Sequence, residues 1–235
     1  MKSTPMDEQA ETRLRLARSH RSGRIRWWLG LLTVVLAVGL PWLLLTGLPA
    51  AERTYAGIAA PTQMLVSIVV PCIAIVFVHD RTSFIAGLGL VPSRLAIMAV
   101  KVAAWSAAIG ALGSAVAAIA AGVGGVDPWP GVAVVAIGGV LVQAGAGLVG
   151  FALGLLFGSP WLACPATVVL PLGLWFVLGT ADGLAPARSW ITPFGAGQNL
   201  LAGEAVGLAQ WPVVAVLWGV GLSTLGVLLL RRREA

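Results

Sequence analysis

Residues 132–157 read VAVVAIGGVLVQAGAGLVGFALGLLF, twenty-six residues without a charge. At roughly 1.5 Å per residue, a helix of that length crosses a hydrocarbon core about 30 Å thick. Working outward, five more stretches meet the same test: residues 27–48, 58–78, 95–122, 162–179 and 212–230. The expected fold is an all-α polytopic membrane protein. Residues 1–26 form a basic cytoplasmic lead-in, and residues 27–235 form a six-helix transmembrane domain. Composition agrees: hydrophobic residues make up 58% of the chain and charged residues 10%, where a soluble domain carries about 25% charged residues. Mean hydropathy is +0.93.

Charge then sets the orientation. Of the fifteen Lys and Arg residues, thirteen fall on one side of a six-span arrangement and two, Arg53 and Arg188, on the other. Positive charge stays in the cytoplasm, so both termini are expected there, in a bacterial plasma membrane. The net charge of +6 sits at membrane edges, which points to orientation and anionic lipid rather than to nucleic acid. In the lead-in, Ser3 or Thr4 can cap a helix with Pro5 in its first turn. Met6, Ala10, Leu14 and Ala17 recur at helical spacing among arginines, a pattern that suits a helix lying along the inner surface. Trp27 and Trp28 then mark an interface.

Within the spans, Pro41, Pro61 and Pro71 are expected to bend or locally unwind their helices. Gly150, Gly154 and Gly158 repeat at four-residue spacing and allow a close helix approach. Cys72 and Cys164 fall in apolar spans and suggest neither a disulfide nor a metal pair. The outer connection, residues 180–211, holds Trp190, Ile191, Phe194, Leu200 and Leu201 among small residues. That composition suits short helices dipping into the outer leaflet better than a solvated loop.

Several chemistries have no sequence basis. There is no G-x-x-x-x-G-K-[ST] phosphate loop, no G-x-S-x-G and no H-E-x-x-H. Both histidines and all nine Asp and Glu residues lie outside the expected spans. Neither a metal site nor a catalytic site is expected, and the chain is not expected to be an enzyme by itself. Ion-coupled transporters usually carry ionisable groups within their spans. Here Gln63 and Gln143 are the principal polar side chains at depth. Each is a candidate for contact with a substrate along a path, but a hydrogen bond between helices is the favoured reading.

One segment carries a resemblance. Asp80 and Arg81 follow the second span, then Thr82, Ser83, Phe84 and Ile85, then Pro92, Ser93 and Arg94, and Lys101 opens the third span. Pro92 disfavours helix at Val91, so a short helix over residues 82–90 is expected, followed by a new helix from near Ser93. This arrangement resembles the permeases of the ABC type-2 transporter family. In that family an acidic-plus-basic pair, a short coupling helix, a Pro-Ser-Arg-like turn and a lysine occur in the same order. Thr82-Ser83 stands where the family usually has Gly-Thr, and Pro193-Phe194-Gly195 looks like the family's outer segment. The resemblance covers essentially the whole chain, on loose motifs. It implies a half-size permease that pairs with a second, identical or homologous, permease subunit and docks two copies of a separate ATPase. The ATPase would hold ATP and Mg, and this chain no cofactor. It implies ATPase coupling through Asp80, Arg81, Thr82, Phe84, Ile85, Pro92, Arg94 and Lys101. It also implies export of a drug, peptide or lipid. Two other readings stay open: a non-transporting structural or immunity subunit, and a membrane-embedded lipid-modifying enzyme.

Overall fold

A computed structural model describes residues 5–49, 52–86, 92–126, 131–181 and 183–234, with side chains in the first helix described from Gly23 and in the second up to Asp80. Among the described residues there is no strand. The helices are α1 (Pro5–Gly47), α2 (Tyr55–Ala86), α3 (Pro92–Val123), α4 (Val132–Leu156) and α5 (Pro160–Thr180). A 3₁₀ turn (Ala185–Ala187) then leads to α6 (Arg188–Ile191), α7 (Pro193–Leu201) and α8 (Ala205–Val214). A π-helical stretch (Ala215–Gly221) joins α8 to α9 (Leu222–Glu234). Six helical stretches are long and apolar enough to cross a membrane: Gly23–Gly47, Tyr55–Asp80, Ser93–Val123, Val132–Leu156, Pro160–Thr180 and Ala205–Leu229. The chain is an all-α, multi-pass membrane protein.

Boundaries depart from the sequence reading in instructive ways. The lead-in and the first span are one helix, α1. Between Pro5 and Trp27 the only backbone breaker is Gly23, and a single glycine costs a helix only about 1 kcal/mol. Helix α2 continues through Pro61 and Pro71 without unwinding, and on to Ala86. Residues 82–86, the start of the expected short helix, are therefore helical as a continuation of α2; residues 87–90 lie outside the described residues. The sixth span begins seven residues before Pro212. Gly203 takes the left-handed conformation, φ 79°, which closes α7. Glu204, in extended conformation, then starts α8 at Ala205.

Helix α4 is the hub. It packs most extensively against α2 and α3, and its other sides meet α5, α7, the π-helical stretch and α9. Small residues make this possible. A Cβ on Gly150 would lie 2.5 Å from the Cα of Pro71, and one on Gly110 would lie 2.6 Å from the carbonyl oxygen of Gly139. Gly154 likewise faces Val78 and Ile75, as the four-residue spacing predicts. Gly158 takes no part: it is exposed, two residues beyond the end of α4. Apolar clusters fill both ends of the α2–α3–α4 unit, around Tyr55, Ile58 and Ala117 at one end and Val78, Leu95 and Phe151 at the other. Trp27 and Trp28, near the start of the first apolar stretch, and Trp161, in the first turn of α5, are about two-thirds exposed or more, as interface anchors are.

Candidate functional site

Both glutamines singled out from the sequence are fully buried, and the fold brings them together. Gln63 of α2 donates through Nε2 to the Gly110 carbonyl (2.9 Å) and to Ser114 Oγ (3.1 Å), both on α3. Gln143 of α4 donates through Nε2 to the Gln63 backbone carbonyl (2.7 Å) and to Gln63 Oε1 (3.0 Å). Both partners of that amide nitrogen are acceptors, so the orientation of the Gln143 side chain is fixed by chemistry. Gln143 Oε1 and the hydroxyl of Ser106 are the buried polar atoms left without a hydrogen bond among the described residues. The pair is an interhelical junction of α2, α3 and α4, and neither glutamine lines the cleft described next.

The cleft lies between α2, α4, α5 and α7. Its volume is about 380 Å³, at the lower end of the roughly 300–1,000 Å³ typical of small-molecule sites. Met64 and Ile68 of α2, Val149 of α4, Val168 and Leu172 of α5, and Phe194 of α7 set its apolar character. Ser67 and Thr167 also reach it, but each hydroxyl donates within its own helix, to Met64 O and Cys164 O, both at 2.7 Å. Gln198 of α7 is the lining side chain with an amide still to offer: it is exposed and makes no side-chain hydrogen bond among the described residues.

The segment 185–214 supplies one wall of the cleft, through Pro193, Phe194, Gly197, Gln198 and Trp211. Short helices form there, as its composition predicts. Thr192 caps α7, accepting from Gly195 N (3.2 Å) while donating to Arg188 O (2.7 Å). Asn199 donates to Gln210 Oε1 (2.9 Å), and Gln210 donates to Ser189 Oγ (3.0 Å), tying α6, α7 and α8 together. Trp218 Nε1 donates to the Ile191 carbonyl (2.7 Å). Leu200 and Leu201 of α7 are buried, Leu200 against Gly138 of α4 and Gly207 of α8. Phe194 stacks edge-on against Trp175 of α5 (centroids 5.4 Å apart), and the Arg188 guanidinium lies 4.7 Å from the centre of the Trp175 ring. Sequence reading picked out Phe194 as part of this outer segment. It did not pick out Trp175 or Arg188, which are 13 residues apart in the chain with a helix end between them.

The fold also joins two thiols that the sequence left separate. Cys72 of α2 and Cys164 of α5 are neighbours, next to Thr167, and the Cys72 thiol donates to the Ile68 carbonyl (3.6 Å). Both are free and half-buried. Of the residues assigned to ATPase coupling, Asp80 sits near the end of α2 and is half-buried; Arg94 and Lys101 lie in the first turns of α3, both exposed. Arg81, Thr82, Phe84, Ile85 and Pro92 are helical in backbone, and their side chains are outside the described set. Among the described residues no cluster of His, Cys, Asp and Glu has the grouping of a metal site. Comparison of the chain with protein-family models, with curated proteins and with solved structures finds no match.

Proposed function

We propose that this chain is the membrane-embedded permease subunit of an ATP-binding cassette transporter, exporting an apolar or amphipathic compound with energy from a separate ATPase. The observation that carries the reading is an apolar cleft inside a helix bundle whose buried polar side chains, among the described residues, are Ser, Thr and Gln. A bundle of that kind offers a place for an apolar cargo. Among the described residues it offers no fully buried carboxylate or imidazole on which an ion gradient could act. The driving force then has to arrive from a partner. The Asp80–Arg81 pair at the end of α2 and Arg94 and Lys101 at the start of α3 resemble the elements through which type-2 permeases receive it. The positive-inside charge split supports a cytoplasmic location for that segment and for both termini, with Arg188 on the outer side. The long α2, running past its apolar window to Ala86, gives a stiff lever between an ATPase and the cleft wall.

Two measurements test this. Purified alone, the chain is expected to show no ATP hydrolysis; purified gently from its native membrane, it should bring a phosphate-loop ATPase with it. Replacing Phe84 and Ile85 with Asp should abolish that association while leaving insertion and monodispersity intact, because an unpaired charge is costly in an apolar docking surface. Full ATPase association and stimulation by the inserted double variant would overturn the coupling assignment. Orientation is tested in a cysteine-free version carrying Ser83→Cys or Gly183→Cys, which should label from opposite sides. Gly183 is exposed, whereas Ser189 nearby is engaged by Gln210.

A further inference from the structure

We infer that the cleft is a binding site for a single-chain anionic amphiphile, with its apolar chain between α2, α4 and α5 and its charged head at Arg188. As the site of the cargo this deepens the permease reading and rests on it; as a binding site it stands on its own observations. The first is the course of α5. Val168 and Leu172 line the cleft, and Trp175 and Gly179 continue the same helical face at spacings of three and four. Seven residues from Leu172 to Gly179 amount to about 10 Å of helix. Along that distance the wall changes from aliphatic to aromatic to cationic. Trp175 meets Phe194, itself a lining residue, and Arg188 lies over Trp175 with Nη1 3.4 Å from where a Cβ on Gly179 would stand.

The second observation is the state of Arg188. Among the described residues it has no carboxylate partner, and its guanidinium lies over the face of Trp175. A guanidinium lying on an aromatic face keeps its edge donors available for an anion, and those donors match a carboxylate or phosphate bidentately. The third is the polar silence of the rest of the cleft. With the Ser67 and Thr167 hydroxyls returned to their own helices, the lining's available polar group is the Gln198 amide. Gln198 lies one helical turn beyond Phe194 on α7. An alkyl chain meets apolar wall for the length of the cleft, and the anion meets donors at one end only.

The test uses the chain alone in nanodiscs of phosphatidylcholine, with a diazirine-bearing palmitate analogue as probe and peptide mapping as readout. No ATPase is present, so failure to find an ATPase partner leaves this result untouched, and failure here leaves the permease reading untouched. Labelling is expected on α5 and α7 residues of the cleft. Palmitate should compete roughly tenfold better than its methyl ester, the factor a hydrogen-bonded charge supplies. Arg188→Gln should erase that preference, and Arg188→Lys should restore part of it. Val168→Trp, which fills the cleft and leaves Arg188 in place, should remove cleft labelling by the acid altogether. Equal competition by acid and ester, or labelling confined to the lipid-facing surfaces of α1 and α3, would overturn the proposal. So would an efficient disulfide between two copies through Ile68→Cys in a cysteine-free background, which would assign the cleft to a second copy of the chain.

Discussion

The two faces of α2 are built on opposite terms. Towards α4 it meets glycine: Gly150 admits the Pro71 backbone, Gly154 admits Val78, and the Gln143 amide clasps Gln63. Towards α5 it meets the cleft, the two thiols and a helix that is mostly exposed. Of the apolar window of α2, 61% is buried; of that of α5, 17%. Gly173 of α5 has open space around it, where Gly150 has a backbone against it. In lipid, helices gain little from apolar contact as such, so close packing and hydrogen bonds decide which pairs stay together. By that measure α2, α3 and α4 are the closely joined helices, and α5 is held against them more loosely.

The largest expected effect breaks the tight face. Gly150→Leu should force α2 and α4 apart and cost more than about 3 kcal/mol, beyond ordinary overpacking; the same change at Gly173 should stay within about 0.5 kcal/mol. Thermal unfolding of both variants in detergent measures the contrast, and equal losses would erase the distinction between the faces. Next comes the glutamine clasp. Gln143→Leu should cost on the order of 1 kcal/mol, since it removes two interhelical bonds but also one buried carbonyl that has no partner. Adding Gln63→Leu should cost less than the sum of the two single changes, because the two side chains share a bond. Smallest is the effect at the α7 wall of the cleft. Thr192→Ala removes the cap of α7 and should cost about 1 kcal/mol or less, seen first as faster hydrogen exchange at Gly195 and its neighbours.

The six spans were legible because desolvation accumulates along the chain and needs no knowledge of neighbours. The glycine spacing on α4 was legible for the same reason, being a property of one helix. The short helices of segment 185–214 could be read from an apolar composition too interrupted for a span. Pairings were not legible. Glutamine at positions 63 and 143 announces a hydrogen bond but not its partner, and nothing local to Cys72 or Cys164 says that α2 and α5 will bring them together. The cleft was hidden most completely. It exists because α7 folds back against α4 through Leu200, which puts Phe194 beside Trp175, and that return depends on Gly138 and Gly207 at positions 62 and 7 residues away from Leu200. Helix starts were not legible where the limit of an apolar span was taken as the limit of the helix, at residues 27 and 212: α1 begins at Pro5 and α8 at Ala205.

The π-helical stretch in the last span settles a matter of phase. Trp211, Val214, Trp218 and Gly226 are all buried, and Gly226 meets Leu155 of α4. From Val214 to Gly226 is twelve residues, which in an unbroken α-helix is about 1200°, leaving Gly226 about 120° around the axis from Val214. The wider turn at Ala215–Gly221 absorbs one residue, and eleven effective steps bring the offset to about 20°. The span therefore carries two helical wheels, each with its own zero, and a single wheel drawn through all of it would place one half wrongly. Deleting one residue between Val216 and Val220 would restore an ordinary helix of eleven steps and keep Gly226 towards α4, whereas drawing all twelve residues into an ordinary α-helix would swing α9 by about 100° and turn Gly226 away. The wide turn thus takes up one surplus amino acid and preserves the azimuth at which the chain leaves the membrane.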